Sequence, residues 1–193
     1  VRIVLDSLGV RSALIAAHGV AGSVAFRLAL AHPDRVRGIV SLEGGPAERA
    51  GSPGVKRALA FAPLIKLFGG RGLIRGKIRK GLIESSGDPS WVSEQLVDRY
   101  AEAPAADVGA TLTTLGAMAD AVESQPLGPR LGEVTCPVLM LVGAAPHRSG
   151  PSPAELVMLG ARVRGYRQLL VAGAGHYLQE ERPDVVIRAL AAL

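Results

Sequence analysis

Ala17-His18-Gly19-Val20-Ala21-Gly22 is the stretch whose reading decides the fold. Apart from His18 its residues are small, and it joins two segments of different periodicity. Before it, Ser12 to Ala17 is short and apolar, as a buried strand is. After it, Val20 to Ala31 returns to helical spacing, and His32-Pro33-Asp34 ends that helix because the residue before proline is pushed out of the helical region. Gly38 to Leu42 is a second buried strand. Upstream, Val1, Val4, Leu5 and Leu8 recur at helical spacing and Gly9 is a stop signal. The first 45 residues therefore read helix, strand, helix, strand, which is a βαβ unit of a parallel sheet.

The second half repeats the alternation. Cys136-Pro137 introduces a strand at Val138 to Val142, Pro153 to Leu159 is a short helix, and Gln168 to Val171 is a fourth strand. Pro183 to Leu193 is a helix with proline in its first turn, where no amide donor is missed. Between the halves, Gly45 to Arg130 has another texture. Val55–Leu67, Leu73–Ile83, Ser90–Glu102 and Ala105–Ala121 read as helices and no segment reads as a strand. Gly69-Gly70 and Gly87-Asp88-Pro89 punctuate them. The expected organisation is an α/β core over 1–44 and 131–193 with a helical insertion over 45–130. No internal repeat or low-complexity tract is visible.

Composition narrows the classes. The 193 residues, 48% of them hydrophobic, suit one domain with a sizeable core and exclude a wholly disordered chain. The longest stretch without Asp, Glu, Lys or Arg, Ser12 to Phe26, holds 15 residues. A spanning helix needs roughly 20 apolar residues, so no transmembrane segment is expected. No segment has a signal-peptide layout. The single cysteine, Cys136, excludes an intrachain disulfide framework and makes a reducing, cytoplasmic setting the default. Net charge is +5, and the excess lies between Arg49 and Glu84, where Lys56, Arg57, Lys66, Arg71, Arg75, Lys77, Arg79 and Lys80 meet no acidic residue. A local basic segment suggests an anionic partner. Only Phe61 and Phe68 interleave with these charges, so nucleic acid is not the expected partner.

A sharp strand-to-helix turn that presents a nucleophile needs small flanks. Ala17, Ala21 and Gly22 supply them, but Gly19 stands where Ser, Asp or Cys would. Ala-His-Gly-Val-Ala-Gly nevertheless resembles the Gly-His-Ser-x-Gly-Gly elbow of the α/β-hydrolase family. His32-Pro33-Asp34-Arg35-Val36-Arg37-Gly38-Ile39-Val40 is similar to the family's segment after the elbow helix. Gly173-Ala174-Gly175-His176-Tyr177-Leu178-Gln179-Glu180-Glu181-Arg182-Pro183 resembles its catalytic-histidine loop. The insertion matches the family's lid in position and helicity.

The resemblance implies an α/β fold: a partial α/β-hydrolase domain, a mostly parallel sheet with an inserted helical lid. The family's sheet has eight strands, and this chain matches the last four. Val1 and this match together lead us to expect a chain that has lost its beginning, including the His-Gly loop that gives one oxyanion amide. The other amide would come from Val20. The family's usual acid, in a Gly-x-x-Asp pattern, is missing from Gly143-Ala144-Ala145-Pro146. Some members place an acid at the end of the sixth strand instead. Glu43 stands there, so Glu43 would orient His176 as a third group orients the base of a triad.

Each residue has a plainer reading beside this one. Gly19 is either an emptied site or, as we prefer, a turn in which glycine relieves strain. His176 is a working base or an inherited loop residue, and Glu43 an acid partner or an exposed strand-end charge. His18 reads as structural, His32 and His147 as surface loop residues, and Cys136 as packing. With no His-x-x-x-His pair, the four histidines do not suggest a metal site, and no cofactor is expected. Three functions stay open: a hydrolase on a small ester, amide, epoxide or halide-type substrate with catalysis impaired or lost; a non-catalytic module that binds a small apolar molecule; and an interaction protein that uses its basic lid. Ser12 to Ala17, left as an open sheet edge, should favour self-association.

Overall fold

The computed structural model describes residues 1–48, 70–122 and 125–193. Two compact units divide the chain: Val1–Glu48 with Ser86–Asp88 and Ser124–Leu193, and Arg49–Ser85 with Pro89–Glu123.

The first unit is built on a parallel sheet in the order β1-β2-β3-β4, with β1 Ala13–His18, β2 Val36–Leu42, β3 Val138–Gly143 and β4 Tyr166–Val171. Helix α1, Arg2–Ser7, precedes β1, and α2, Ala21–Ala31, connects β1 to β2. The expected strand–helix alternation is present, with two strands longer than their apolar runs. β2 starts at Val36 because Val36 already pairs with Ala13, and β4 starts at Tyr166 because Tyr166 pairs with Val138. Pairing, which composition does not record, sets these ends.

Consecutive strand residues feed opposite faces. Ile39, Val138 and Met140 join Phe26 of α2 and Leu131 on one face, all fully or nearly fully buried. Val40, Leu139 and Leu141 join Leu178 and Val186 on the other. A sheet covered on both faces needs apolar residues at successive positions, which is why these strands read as unbroken apolar runs. The free Cys136 is part of the first cluster, and burial pushes its thiol pKa up. A thiol so placed is packing, not a nucleophile.

In the second unit the described helices are α3 Arg71–Ser85, α4 Glu94–Ala106 and α5 Val108–Asp120. Ser93 caps α4 by accepting from the Leu96 amide at 3.3 Å, and Asp107 caps α5 by accepting from Ala110 at 2.8 Å. Leu82 of α3 and Val97 and Ala101 of α4 are buried. The expected helix over Val55–Leu67, with Lys56, Arg57 and Lys66, lies outside the described residues. Arg75, from the expected basic face, bonds Glu94 and Asp98 at 2.5 Å each, Arg79 bonds Glu94 at 3.0 Å, and Lys80 lies 3.6 Å from Glu84. Acidic residues of α4, too distant in sequence to count as neighbours, thus partner two of those cations. No helix among the described residues is long and apolar enough to cross a membrane.

In the first unit the register aligns the C-terminal strand ends. His18 pairs with Leu42, Leu42 with Leu141, and Gly143 with Val171. The ladder continues into the loops: Gly19 N–H donates to Leu42 O at 2.9 Å, Glu43 N–H to Leu141 O at 3.0 Å, and Ala144 N–H to Val171 O at 3.0 Å. Residues that follow four different strands are therefore held at one sheet edge, where parallel α/β sheets place ligands.

Candidate active site

The turn after β1 is drawn tight by backbone contacts. Gly19 has φ +55°, and the Gly22 amide donates back to Gly19 O at 3.0 Å. Gly19 leaves a gap: a Cβ there would lie 3.7 Å from Cε1 and 3.8 Å from Nε2 of His176. Val20 follows the turn and lines the same cavity of about 270 Å³ with Gly19, Glu43, Gly150 and His176.

Glu43 has φ +57° and is 2% exposed. A side chain other than glycine in that region is held there at a cost of order 1 kcal/mol, and such strain gathers at functional sites. The strand-end charge of the plainer sequence reading is therefore a buried carboxylate. Its Oε1 accepts a short hydrogen bond from the Gly143 amide. Its Oε2 accepts from His147 Nε2 at 3.0 Å and lies 4.0 Å from His176 Nδ1. Glu43 and His176 thus meet at the same sheet edge, but 4.0 Å is beyond a hydrogen bond. His176 Nδ1 is buried without a hydrogen-bond partner among the described residues.

His147 is the residue sequence reasoning placed wrongly. Its side chain is 9% exposed, not a surface group. Nδ1 bonds Ala145 O at 2.7 Å and Nε2 bonds Glu43. A carbonyl oxygen faces Nδ1 and a carboxyl oxygen faces Nε2, an arrangement that favours the doubly protonated, charged ring. Burial opposes that charge, but the bonds to the Ala145 carbonyl and the Glu43 carboxylate, with the charges of Glu43 and Glu181, outweigh it and raise the pKa. The available signal was positional: His147 lies four residues beyond Gly143, in the loop already searched for an acid.

The raised pKa has a sign. The stabilisation from charged His147 is complete below the ordinary value of 6.5 and is lost as pH rises through the higher folded-state value. The thermal midpoint should fall from about pH 6 to about pH 8 in the wild type and change less in His147→Gln. Parallel profiles for the two proteins would show that His147 carries no such charge.

Two further groups position the histidine loop. His18 Nε2 donates to the His176 carbonyl at 2.9 Å, and burial lowers the His18 pKa, the neutral form that one carbonyl partner suits. Glu181 accepts from Gly175 N–H at 3.0 Å and from Gly87 N–H at 2.7 Å, tying that loop to the Ser86–Asp88 segment of the same unit. Ser23 donates to Val20 O at 3.0 Å, a local helix bond. Ligand atoms of Glu43, His147 and His176 all lie within 4.8 Å of one another, a proximity that the spacing of the histidines did not lead us to expect. Glu43 and His147, 104 residues apart in sequence, converge here through strand register, which spacing rules cannot see.

A family model described as "Alpha/beta hydrolase family" matches residues 1–189. No curated protein matches significantly. Among solved structures, the ligand-free epoxide hydrolase CorEH is similar with a TM-score of 0.74 and 18% identity, over 99% of this chain and 70% of that one. A thermophilic esterase from Thermogutta terrifontis, malate bound, gives 0.72 and 20% over 98% and 67%. The 2-hydroxy-6-oxo-6-phenylhexa-2,4-dienoate hydrolase from Rhodococcus sp. strain RHA1 gives 0.71 and 20% over 97% and 66%. At such identities the likeness is one of fold, and the chain spans about two thirds of the length of these structures.

Proposed function

The chain belongs to the alpha/beta hydrolase family, and from that premise we propose that it keeps the acid–base residues of a hydrolase for a small ester, amide, epoxide or halide-type substrate while lacking the covalent route. The observation that carries this reading is the gap at Gly19. A Cβ there would face His176 Nε2 at 3.8 Å, the place for an attacking side chain, and there is none. In the proposed roles His176 is the base, Glu43 is its acid partner, 4.0 Å away while His147 holds the facing oxygen, and Val20 N–H is an oxyanion donor. The helical insertion is the lid. With no nucleophile, hydrolysis is left to water activated by His176. A triad lacking a member keeps about 10³–10⁴-fold over the uncatalysed rate only where its oxyanion hole and substrate binding are intact. The expected result is negligible turnover of short-chain aryl esters and no labelling by serine-directed phosphonates. Brisk turnover that survives His176→Ala would overturn the assignment.

A second reading, a non-catalytic module for a small molecule, is favoured by the cavity itself, which persists at about 270 Å³ beside Gly19. Saturable binding of an ester analogue without turnover would select it. A cytoplasmic setting belongs to the same proposal and is supported by the lone, buried Cys136.

The sheet edge supports self-association as well. β1 is an edge strand among the described residues, and Ile3 and Leu8 of the neighbouring segment are 75% and 70% exposed. Exposed apolar edges pair with other chains. Sedimentation of the isolated chain should show mass growing with concentration, and a monomer at high concentration would contradict this.

A further inference from the structure

The cluster at the sheet edge has the ligand set of a catalytic zinc centre, one carboxylate and two imidazoles. We propose that Glu43, His147 and His176 bind one divalent transition ion, Zn²⁺ foremost, through Glu43 Oε2, His147 Nε2 and His176 Nδ1.

Distance is the first support. Bonds of about 2.0–2.1 Å in a tetrahedral site set neighbouring ligand atoms about 3.3 Å apart. Here Glu43 Oε2 lies 3.0 Å from His147 Nε2 and 4.0 Å from His176 Nδ1, and all three fall within 4.8 Å of one another. Small side-chain rotations close that difference.

Orientation is the second. Histidines that bind metals usually give their other ring N–H to a carbonyl or carboxylate, which fixes the ring and the tautomer. His147 does this, with Nδ1 on Ala145 O at 2.7 Å. The second oxygen of Glu43 is held by the Gly143 amide. His176 is anchored through its own carbonyl by His18. Glu43 and His147 are thus held by atoms outside the set, and the backbone that carries His176 is fixed by His18.

The third is an atom with nothing to do. His176 Nδ1 is buried and has no hydrogen-bond partner among the described residues. A buried polar nitrogen without a partner is costly, and an ion held by Nδ1 removes that cost. Binding replaces the Nε2 proton of His147, which passes to solvent. Glu43 and His176 both line the cavity, so an ion between them is reached by water. Lone pairs on Glu43, His147 and His176 favour Zn²⁺ over Mg²⁺ or Ca²⁺, which prefer all-oxygen sets.

Ion binding does not depend on ester turnover, so it is tested apart from the hydrolase reading. The whole chain, stripped with a chelator, is dialysed against zinc sulfate and, separately, cobalt chloride. The expected outcome is one Zn²⁺ per chain, a visible Co²⁺ band of tetrahedral strength, and a thermal midpoint that rises with free Zn²⁺. His147→Gln keeps a donor toward Glu43, and with His176→Gln it should lose both the stoichiometric ion and the Co²⁺ band. His32→Gln, a histidine outside the cluster, should keep both. Less than stoichiometric Zn²⁺ in the wild type, an octahedral Co²⁺ spectrum, or full binding in folded His147→Gln and His176→Gln would each overturn the proposal. Should a variant fail to fold, the wild-type stoichiometry and spectrum alone decide.

Discussion

Gly22→Ala should lower the thermal midpoint by about 10 °C, against the helix propensity of alanine. Gly22 lies in the first turn of α2, where Gly→Ala alone stabilises a helix by up to about 1 kcal/mol. Sterics oppose it. A Cβ at Gly22 would lie 2.6 Å from Gly44 C and 2.8 Å from Gly44 Cα, and closer still to Gly44 O. These are backbone atoms with little room to move, since Ser41 Oγ donates to Gly44 O at 2.6 Å and a Cβ on Gly44 would itself meet Gly19 O at 2.5 Å. Overpacking costs about 1–3 kcal/mol and more where neighbours cannot move, and 1 kcal/mol is about 2–4 °C in a chain of this size. The steric term wins. Gly76→Ala in α3 is the matched control: nothing lies within 4 Å of its Cβ, so it should be neutral or stabilising. A Gly22→Ala protein as stable as wild type would mean that the turns after β1 and β2 do not pack backbone to backbone.

The second large effect is non-additive. Gly19→Ser puts a hydroxyl beside His176 Nε2, at a cost of about 1–2 kcal/mol for the left-handed backbone at φ +55°. On its own it should restore little. His176 Nδ1 is 4.0 Å from Glu43, and His147 holds the facing oxygen at 3.0 Å. A triad whose base is not oriented by its acid loses about 10⁴ in rate. Removing the competitor should release the carboxylate to His176. In a chelating buffer, Gly19→Ser/His147→Leu is therefore expected to exceed Gly19→Ser by at least about 10-fold in aryl-ester turnover and in phosphonate labelling. His147→Leu alone should show neither. Equal rates in the single and double variants would mean that His147 does not hold the acid away from the base.

The local elements were legible because each obeys a short-range rule. Pro33 ends α2, Gly9 at φ +67° ends α1, and Pro183 sits in the first turn of the helix Pro183–Ala191. The elbow was legible from small residues that close approach requires, and the loop of His176 from its motif. Glu43 was found by resemblance, but its burial was not, because a carboxylate at a strand end reads the same whether the next loop covers it or leaves it wet.

The sequence by itself determined where the strands lie, which helices alternate with them, and the family, since all of these are set within about ten residues of chain. Only the tertiary structure decided the partners. Parallel register carries Glu43 beside Gly143 and His147, and helix packing within the second unit pairs Arg75 of α3 with carboxylates of α4. Which imidazole holds an oxygen depends on differences of 1 Å between groups more than 100 residues apart. That distance is fixed by packing and loop closure, and no local spacing of residue types records it.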